Sequence, residues 1–332
     1  MNFFEARAAR VDLRLGELAG RLRSHLGVDE ERVLQNDTCI YTVGSGGRGE
    51  MSDHSDVDLF VARVHRAPSE VDAFQIRQAI TRALFEMGFP EPSQGGEFLK
   101  MHTGKSLCER MGTRDDDASN SLTARMLLLL ESRVLLGKSA HGNLVESVLE
   151  AYWKDASDHA TDYQPFVLVN DIVRYWRILL LNYVAKNAEK ERKLAPPNHK
   201  AERSLRSYKL RFSRCITCFS ALARLLSITA RGAVEKNDVA AIVSERPIQR
   251  LVAVKECVPQ AGVHVDQMLQ LYQAFLENTS NAKSTLIEAF GQDEFAHARV
   301  QEGRDFADAM FALLQELGRE GRAKELFRHM VV

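Results

Sequence analysis

The sequence predicts a small α+β domain built on a mixed sheet with helices, followed by an all-helical domain. The expected spans are residues 1–138 and 139–332. Three observations carry this. Short β-branched or apolar runs bounded by glycine and polar clusters occur only before Gly137. Long stretches of helical periodicity fill the remainder. The composition shifts at Gly137-Lys138, where the boundary is placed. A length of 332 residues suits two domains, and 45% hydrophobic residues can fill their cores. The net charge of −1 excludes a uniformly basic nucleic-acid binder, so any basic site must be local.

In chain order, residues 3–26 read as an amphipathic helix. Acids and arginines are spread through it without a continuous apolar centre, unlike a signal peptide. Thr38 to Val43 reads as a strand and Asp58 to Val64 as a second. Ser69 is an N-cap, with Glu70 and Asp72 in the first turn of a helix that runs to Met87 and stops before Gly88. Gly88-Phe-Pro and Pro92-Ser-Gln-Gly-Gly make a loop. Glu97 to His102 is the candidate third strand. Ser121 to Leu136 reads as helix. Further helices are expected over Asn143–Ala156, Phe166–Lys190, Ala201–Ile228, Asp238–Val258, Val265–Asn278 and on to the end, with Pro196-Pro197 breaking the second from the third. The most apolar run, Met126 to Leu136, is broken by Glu131 and Arg133 and is too short to span a bilayer. Five cysteines and no secretion signal point to a reducing cytoplasm. Cys215-x-x-Cys218 lacks two further zinc ligands nearby and has helical periodicity, so both read as core thiols.

The chemistry concentrates between Tyr41 and Val61. Gly44-Ser-Gly46-Gly-Arg-Gly49 matches the G-x-G-x-x-G of a dinucleotide fold. That fold needs a full helix after the turn. Here about six residues separate Gly49 from Asp56, whereas a parallel crossover takes a dozen or more. The alternative is a tight turn followed by a strand that carries Asp56 and Asp58. Side chains at i and i+2 share a face of a strand. Two carboxylates on one face suit an oxygen-coordinated Mg²⁺. Glycine backbone with Ser45 and Arg48 suits phosphate. Together these are the parts of a nucleotidyl-transfer site.

Those residues carry a resemblance. Gly44-Ser45 followed by Asp56-Val57-Asp58 resembles the G-S-(x)-D-x-D signature of the DNA polymerase β-like nucleotidyltransferase superfamily. More narrowly, GGRGEMSDHSDVDLFV resembles the glycine-rich core of bacterial PII-protein uridylyltransferases, G-x-G-R-G-E and then S-D-x-D-L. Leu130-Glu131-Ser132-Arg133 and Asn170-Asp171-Ile-Val-Arg174-Tyr-Trp176-Arg177 are similar to the same branch. The likeness covers the first domain well and the second in patches. The bifunctional uridylyltransferases are much longer, so the PII substrate does not carry over.

The resemblance implies a Mg²⁺-dependent transfer of a nucleoside monophosphate from a nucleoside triphosphate to a hydroxyl, with release of pyrophosphate. It implies two Mg²⁺ ions (or Mn²⁺) on Asp56, Asp58 and a third carboxylate from a later strand. Glu97 is the candidate, with Asp115, Asp116 and Asp117 as alternatives; those three also fit the N-terminus of a helix. Gly44, Ser45, Gly46, Gly47 and Arg48 would hold phosphates. Polymerase β-like enzymes often recruit triphosphate-binding cations from a following helical domain, which points to Arg174, Lys209 and Arg211. The run from Lys200 to Arg214 reads equally as a solvated basic face. His102-Thr-Gly-Lys105-Ser106 ends like a phosphate loop, but Leu99 stands where its first glycine belongs, and it reads as a turn. The acceptor is left open between protein, RNA and small molecule. Two other expectations are a nucleotide-binding regulatory or antitoxin-like module without turnover, and a tRNA-end modifier.

Overall fold

The computed structural model describes residues 2–34, 37–65, 69–90, 102–159, 163–191, 196–319 and 321–331. The chain forms two compact units, Met1–Lys154 and Asp155–Val332. The first therefore extends past the expected boundary at 138, because the helix that follows Gly137 packs on the sheet.

In the first unit, α1 (Phe3–Leu26) opens with a capping box in which Asn2 and Glu5 accept from each other's backbone N–H. Val11, Leu15, Leu18, Leu22 and Leu26 form its buried stripe. After α2 (Glu30–Leu34), β1 (Thr38–Val43) matches the expected strand. A one-turn helix, α3 (Gly44–Arg48), occupies the glycine-rich stretch. Then come β2 (Asp58–Arg63) and α4 (Glu70–Glu86), where Ser69 caps by accepting from the Asp72 N–H. Of the expected third strand, His102 belongs to β3 (His102–Thr103); Glu97 to Met101 lie outside the described residues.

Two expectations change in this stretch, and the fit of the three acids to a helix N-terminus holds. The His102–Ser106 turn is instead the start of α5 (Gly104–Cys108), capped by Thr103 and Ser106. Asp115–Asp117 lie in α6 (Arg114–Ala118). The helix expected over Ser121–Leu136 ends at Glu131 as α7 (Ser121–Glu131), and β4 (Arg133–Leu136) follows. The apolar run gives no cue at this junction, because α7 is buried nearly all round and β4 borders β1. Gly137, with φ +72°, lies so close to β1 that a Cβ would overlap the Thr38 carbonyl. The next helix, α8 (Lys138–Tyr152), starts earlier than expected.

The sheet order is β3-β2-β1-β4. β1 is antiparallel to β2, from Thr38 opposite Arg63 to Val43 opposite Asp58, and antiparallel to β4. β3 is parallel to β2, with Ala62 opposite His102. Ile40, Val57, Leu59 and Val61 share one core cluster with the buried faces of α1 and α4. The other face carries a row of rings, Tyr41 on Phe60 (5.6 Å) and Phe60 on His102 (6.0 Å). His141 of α8 meets Tyr41 edge-on. Burial pushes this imidazole down to about 4, so it is neutral at pH 7 and bonds Ser132 Oγ.

The second unit contains α9 (Phe166–Glu191), α10 (Pro196–Lys209), a π turn (Leu210–Arg214), α11 (Cys215–Thr229), α12 (Lys236–Ser244) and α13 (Pro247–Cys257). It continues with α14 (Gly262–Asn278), α15 (Lys283–Phe290), α16 (Asp293–Leu317) and α17 (Gly321–Val331). Its described residues include no strand. The expected Ala201–Ile228 helix is interrupted by the π turn. Tyr208 just before it and Phe212 within it enter one aromatic cluster with Phe275 and Phe306. The expected Asp238–Val258 helix divides before Pro247, which starts α13 because a first-turn residue needs no N–H partner. Cys215 and Cys218 are buried on α11, as core thiols should be. The stretch His199–Thr229 is long and apolar enough to cross a membrane, yet 78% of its most apolar part is buried, the pattern of a core helix.

One buried ion pair ties α5 to α8 together. Arg125 on α7 donates to both carboxylate oxygens of Asp116 (3.0 and 2.8 Å), to the Leu107 carbonyl and to Tyr152 Oη. Arg125 and Asp116 are both 0% exposed. Removing one partner strands a buried charge. Asp116→Ala should therefore cost about 3–5 kcal/mol, read as a lower urea midpoint. The pair Asp116→Leu with Arg125→Met should recover much of that loss.

Candidate active site

The site grows from the junction of β1, α3 and β2. Gly44 leaves β1 with φ +65°, a conformation that side chains disfavour. A Cβ there would lie 3.1 Å from Asp58 Oδ2. The Asp58 carboxylate thus lies against the backbone that opens the glycine turn. The ladder sets this, since Val43 faces Asp58 across the strands. Thr42 Oγ1 adds a bond to the Asp58 carbonyl (3.0 Å). The turn closes when the Glu50 N–H donates to the Ser45 carbonyl (2.8 Å).

Asp56 lies just before β2 and is exposed; Asp58 is half-buried. Val57, Leu59 and Val61 all enter the core beneath α1 and α4. Alternation puts Asp58 on the opposite side of β2, and Asp56 stands two residues before it, ahead of the strand. Gly44 and Asp58 are the part of the expected site that the fold brings into contact, with Ser45 and Asp56 close to them along the chain. Two adjacent carboxylate side chains are a donor set that suits a hard divalent cation. Among the described residues, no group of three or more His, Cys, Asp or Glu is placed to hold a metal ion. Glu97, the expected third ligand, lies outside the described residues. Of its alternatives, Asp116 is held by Arg125, and Asp115 and Asp117 are exposed on α6.

Arg48 occupies a different setting from the one expected. It is 6% exposed, and its guanidinium holds Glu50 Oε2 (2.7 Å) and Glu131 Oε2 (2.5 Å). Its observed partners are these carboxylates, which fasten α3 to the end of α7. Gly46 and Gly47 also face protein. A Cβ on Gly46 would press on Thr42 Oγ1 at 2.5 Å, and one on Gly47 would overlap the Glu131 carbonyl. The small residues let α3 pack against β1 and α7. Sequence reasoning missed Glu50 and Glu131 as partners of Arg48. It also missed Arg7 and Arg14 of α1, which donate to the Glu50 and Ser52 carbonyls. The signal lay in helical spacing, since Arg7 falls four residues before Val11 and Arg14 four before Leu18, beside the apolar stripe.

The remaining candidates belong to the second unit. Arg174 pairs with buried Asp171 one turn earlier (2.8 Å). Lys209 is exposed at the end of α10. Arg211, in the π turn, lays its aliphatic stem where a Cβ on Gly303 would stand. Other cations of this segment are engaged nearby, Arg206 by Glu202 and Asn187, and Lys200 by Asp293.

Comparison with known proteins gives a partial likeness. No family model matches the chain. A bifunctional uridylyltransferase/uridylyl-removing enzyme of Psychrobacter sp. (strain PRwf-1) is 28% identical over 152 residues, 46% of this chain and 14% of that protein. The enzyme of the same description from Bordetella pertussis (strain Tohama I) is 34% identical over 114 residues, 34% of this chain and 11% of that protein. The similarity agrees with the resemblance to uridylyltransferases and reaches a small part of these longer relatives.

The close approach of α3 to α7 is testable. Gly47→Ala should cost about 3 kcal/mol or leave no folded protein, because the clash is with backbone. Gly20→Ala, exposed in α1 with nothing within 4 Å of the new Cβ, should raise stability by about 0.5–1 kcal/mol. Thermal unfolding of the two variants reads both signs.

Proposed function

We propose that this protein is a nucleotidyltransferase, moving a nucleoside monophosphate from a nucleoside triphosphate to a hydroxyl of an acceptor. The observation that carries the reading is the Asp58 carboxylate set against Gly44, with Asp56 two residues earlier in the chain. The partial likeness to uridylyltransferases supports it.

In the reaction, the acceptor oxygen attacks the α-phosphorus. The bond from that phosphorus to the bridging oxygen breaks, and pyrophosphate leaves with the electron pair. The acceptor proton passes to a carboxylate or to water. Gly44 and Ser45 would orient the phosphates through backbone N–H groups and the Ser45 hydroxyl. Asp56 and Asp58 would hold a divalent cation, Mg²⁺ or Mn²⁺. When bound, such a cation neutralises triphosphate charge and acidifies the attacking hydroxyl. Glu97 is the proposed third carboxylate; the Asp116 alternative is weakened by its bidentate bond to Arg125. Arg174, Lys209 and Arg211 are proposed to supply positive charge for the phosphates, and the acceptor is protein, RNA or a small molecule.

The test follows the label. Purified protein is incubated with each α-labelled triphosphate, Mg²⁺ and cell extract. Label should move to one acceptor class with stoichiometric pyrophosphate. Asp56→Ala and Asp58→Ala should each reduce transfer by about a thousandfold or more, the scale of losing a transition-state electrostatic group, with unchanged circular dichroism. Triphosphate binding without any pyrophosphate would replace this reading with a nucleotide-binding regulatory module.

A further inference from the structure

The proposed cation site hangs on a short exposed link. Met51 is buried and so is Val57, and both belong to the core under α1 and α4. Between them, Ser52 to Asp56 run half-buried or exposed. Inside this span the bonds are local. The Ser52 N–H donates to Ser55 Oγ (2.9 Å), the Ser55 N–H to the Ser52 carbonyl (3.2 Å), and the His54 N–H to Ser52 Oγ (3.3 Å). Such a turn fixes its own shape but not its placement on the protein.

Placement comes from α1. Arg14 Nη1 donates to the Ser52 carbonyl at 3.2 Å. Two turns earlier on the same helix, Arg7 Nε donates to the Glu50 carbonyl at 2.9 Å. The Arg14 guanidinium is itself fixed, lying 4.2 Å from the centroid of the buried Phe89 ring. We propose that Arg14 is a positioning residue for cation binding: by holding the Ser52 carbonyl, it keeps the Ser52–Asp56 linker in the placement that presents Asp56 beside Asp58.

This rests on the reading that the two aspartates bind a divalent cation. The physical consequence is a sign that separates two effects. Coulomb's law alone says that deleting a cation from this acidic loop should tighten binding of a second cation. Positioning says the reverse, because an untethered linker must be ordered when the ion binds.

The experiment titrates the full chain with Mn²⁺, following free ion by electron paramagnetic resonance. The proteins are wild type, Arg14→Met, Arg14→Lys and Asp56→Ala. Methionine keeps an unbranched stem over Phe89 and loses the donor; lysine restores a donor and the charge. Arg14→Met should bind Mn²⁺ about three- to tenfold more weakly, the scale of one lost hydrogen bond. Its melting temperature should be unchanged, and hydrogen exchange should quicken only across residues 51–57. Arg14→Lys should recover most of the affinity. Equal or tighter binding by Arg14→Met overturns the proposal, as does weakening with faster exchange throughout α1 and α4. If wild type binds no more Mn²⁺ than Asp56→Ala, the cation reading itself fails. If wild type binds and Arg14→Met matches it, only the role of Arg14 fails.

Discussion

Arg48 stands buried between two glutamates, and the placement of the glycine turn depends on that triad. Its guanidinium joins Glu50, just after the turn, to Glu131 at the end of α7. Charges so deeply removed from water are tolerated only when paired at close range. The pairing therefore demands that α3 lie hard against α7, and Gly47 makes that approach possible by having no Cβ. Once α3 is set, Gly44 is set with it, and so is the backbone that faces the Asp58 carboxylate.

The sheet divides the first unit into two layers of different character. Beneath it, α1 and α4 bury aliphatic residues against Ile40, Leu59 and Val61. Above it, a row of stacked rings runs from Tyr41 through Phe60 to His102. The ring row and Asp58 share one face, since Asp58, Phe60 and Ala62 alternate with the core residues along β2. Burying the odd-numbered residues of this stretch therefore also decides where the acids stand. A one-residue slip in the β1–β2 register would turn the acids toward the aliphatic core, which makes the slipped register costly.

In the second unit, the basic segment from Lys200 to Arg214 is less of a continuous positive surface than its letters imply. Arg206 and Lys200 are paired, and Arg211 packs its stem on Gly303. The π turn closes this segment, and Tyr208 before it and Phe212 within it both reach the aromatic cluster. Paired cations at such positions contribute little net field, so a charge count along the chain overstates what a ligand would meet.

The sequence alone determined β1, β2, α4 with its Ser69 cap, and the helical character of the described residues after Gly137, because periodicity and capping are local properties. It also singled out Gly44, Ser45, Asp56 and Asp58, whose spacing allows one arrangement of turn and strand. The tertiary structure decided what depends on partners distant in the chain. β4 is a strand only because β1 offers it a ladder, and the same apolar letters next to α7 continue a helix pattern. Arg48 looks like a phosphate donor beside glycines, yet Glu131 reaches it from 83 residues away. Arg7 and Arg14 gain their carbonyl partners only when the fold lays α1 along the aspartate linker. Hydrogen bonds and ion pairs have no sequence period; they are fixed when packing brings donors and acceptors together.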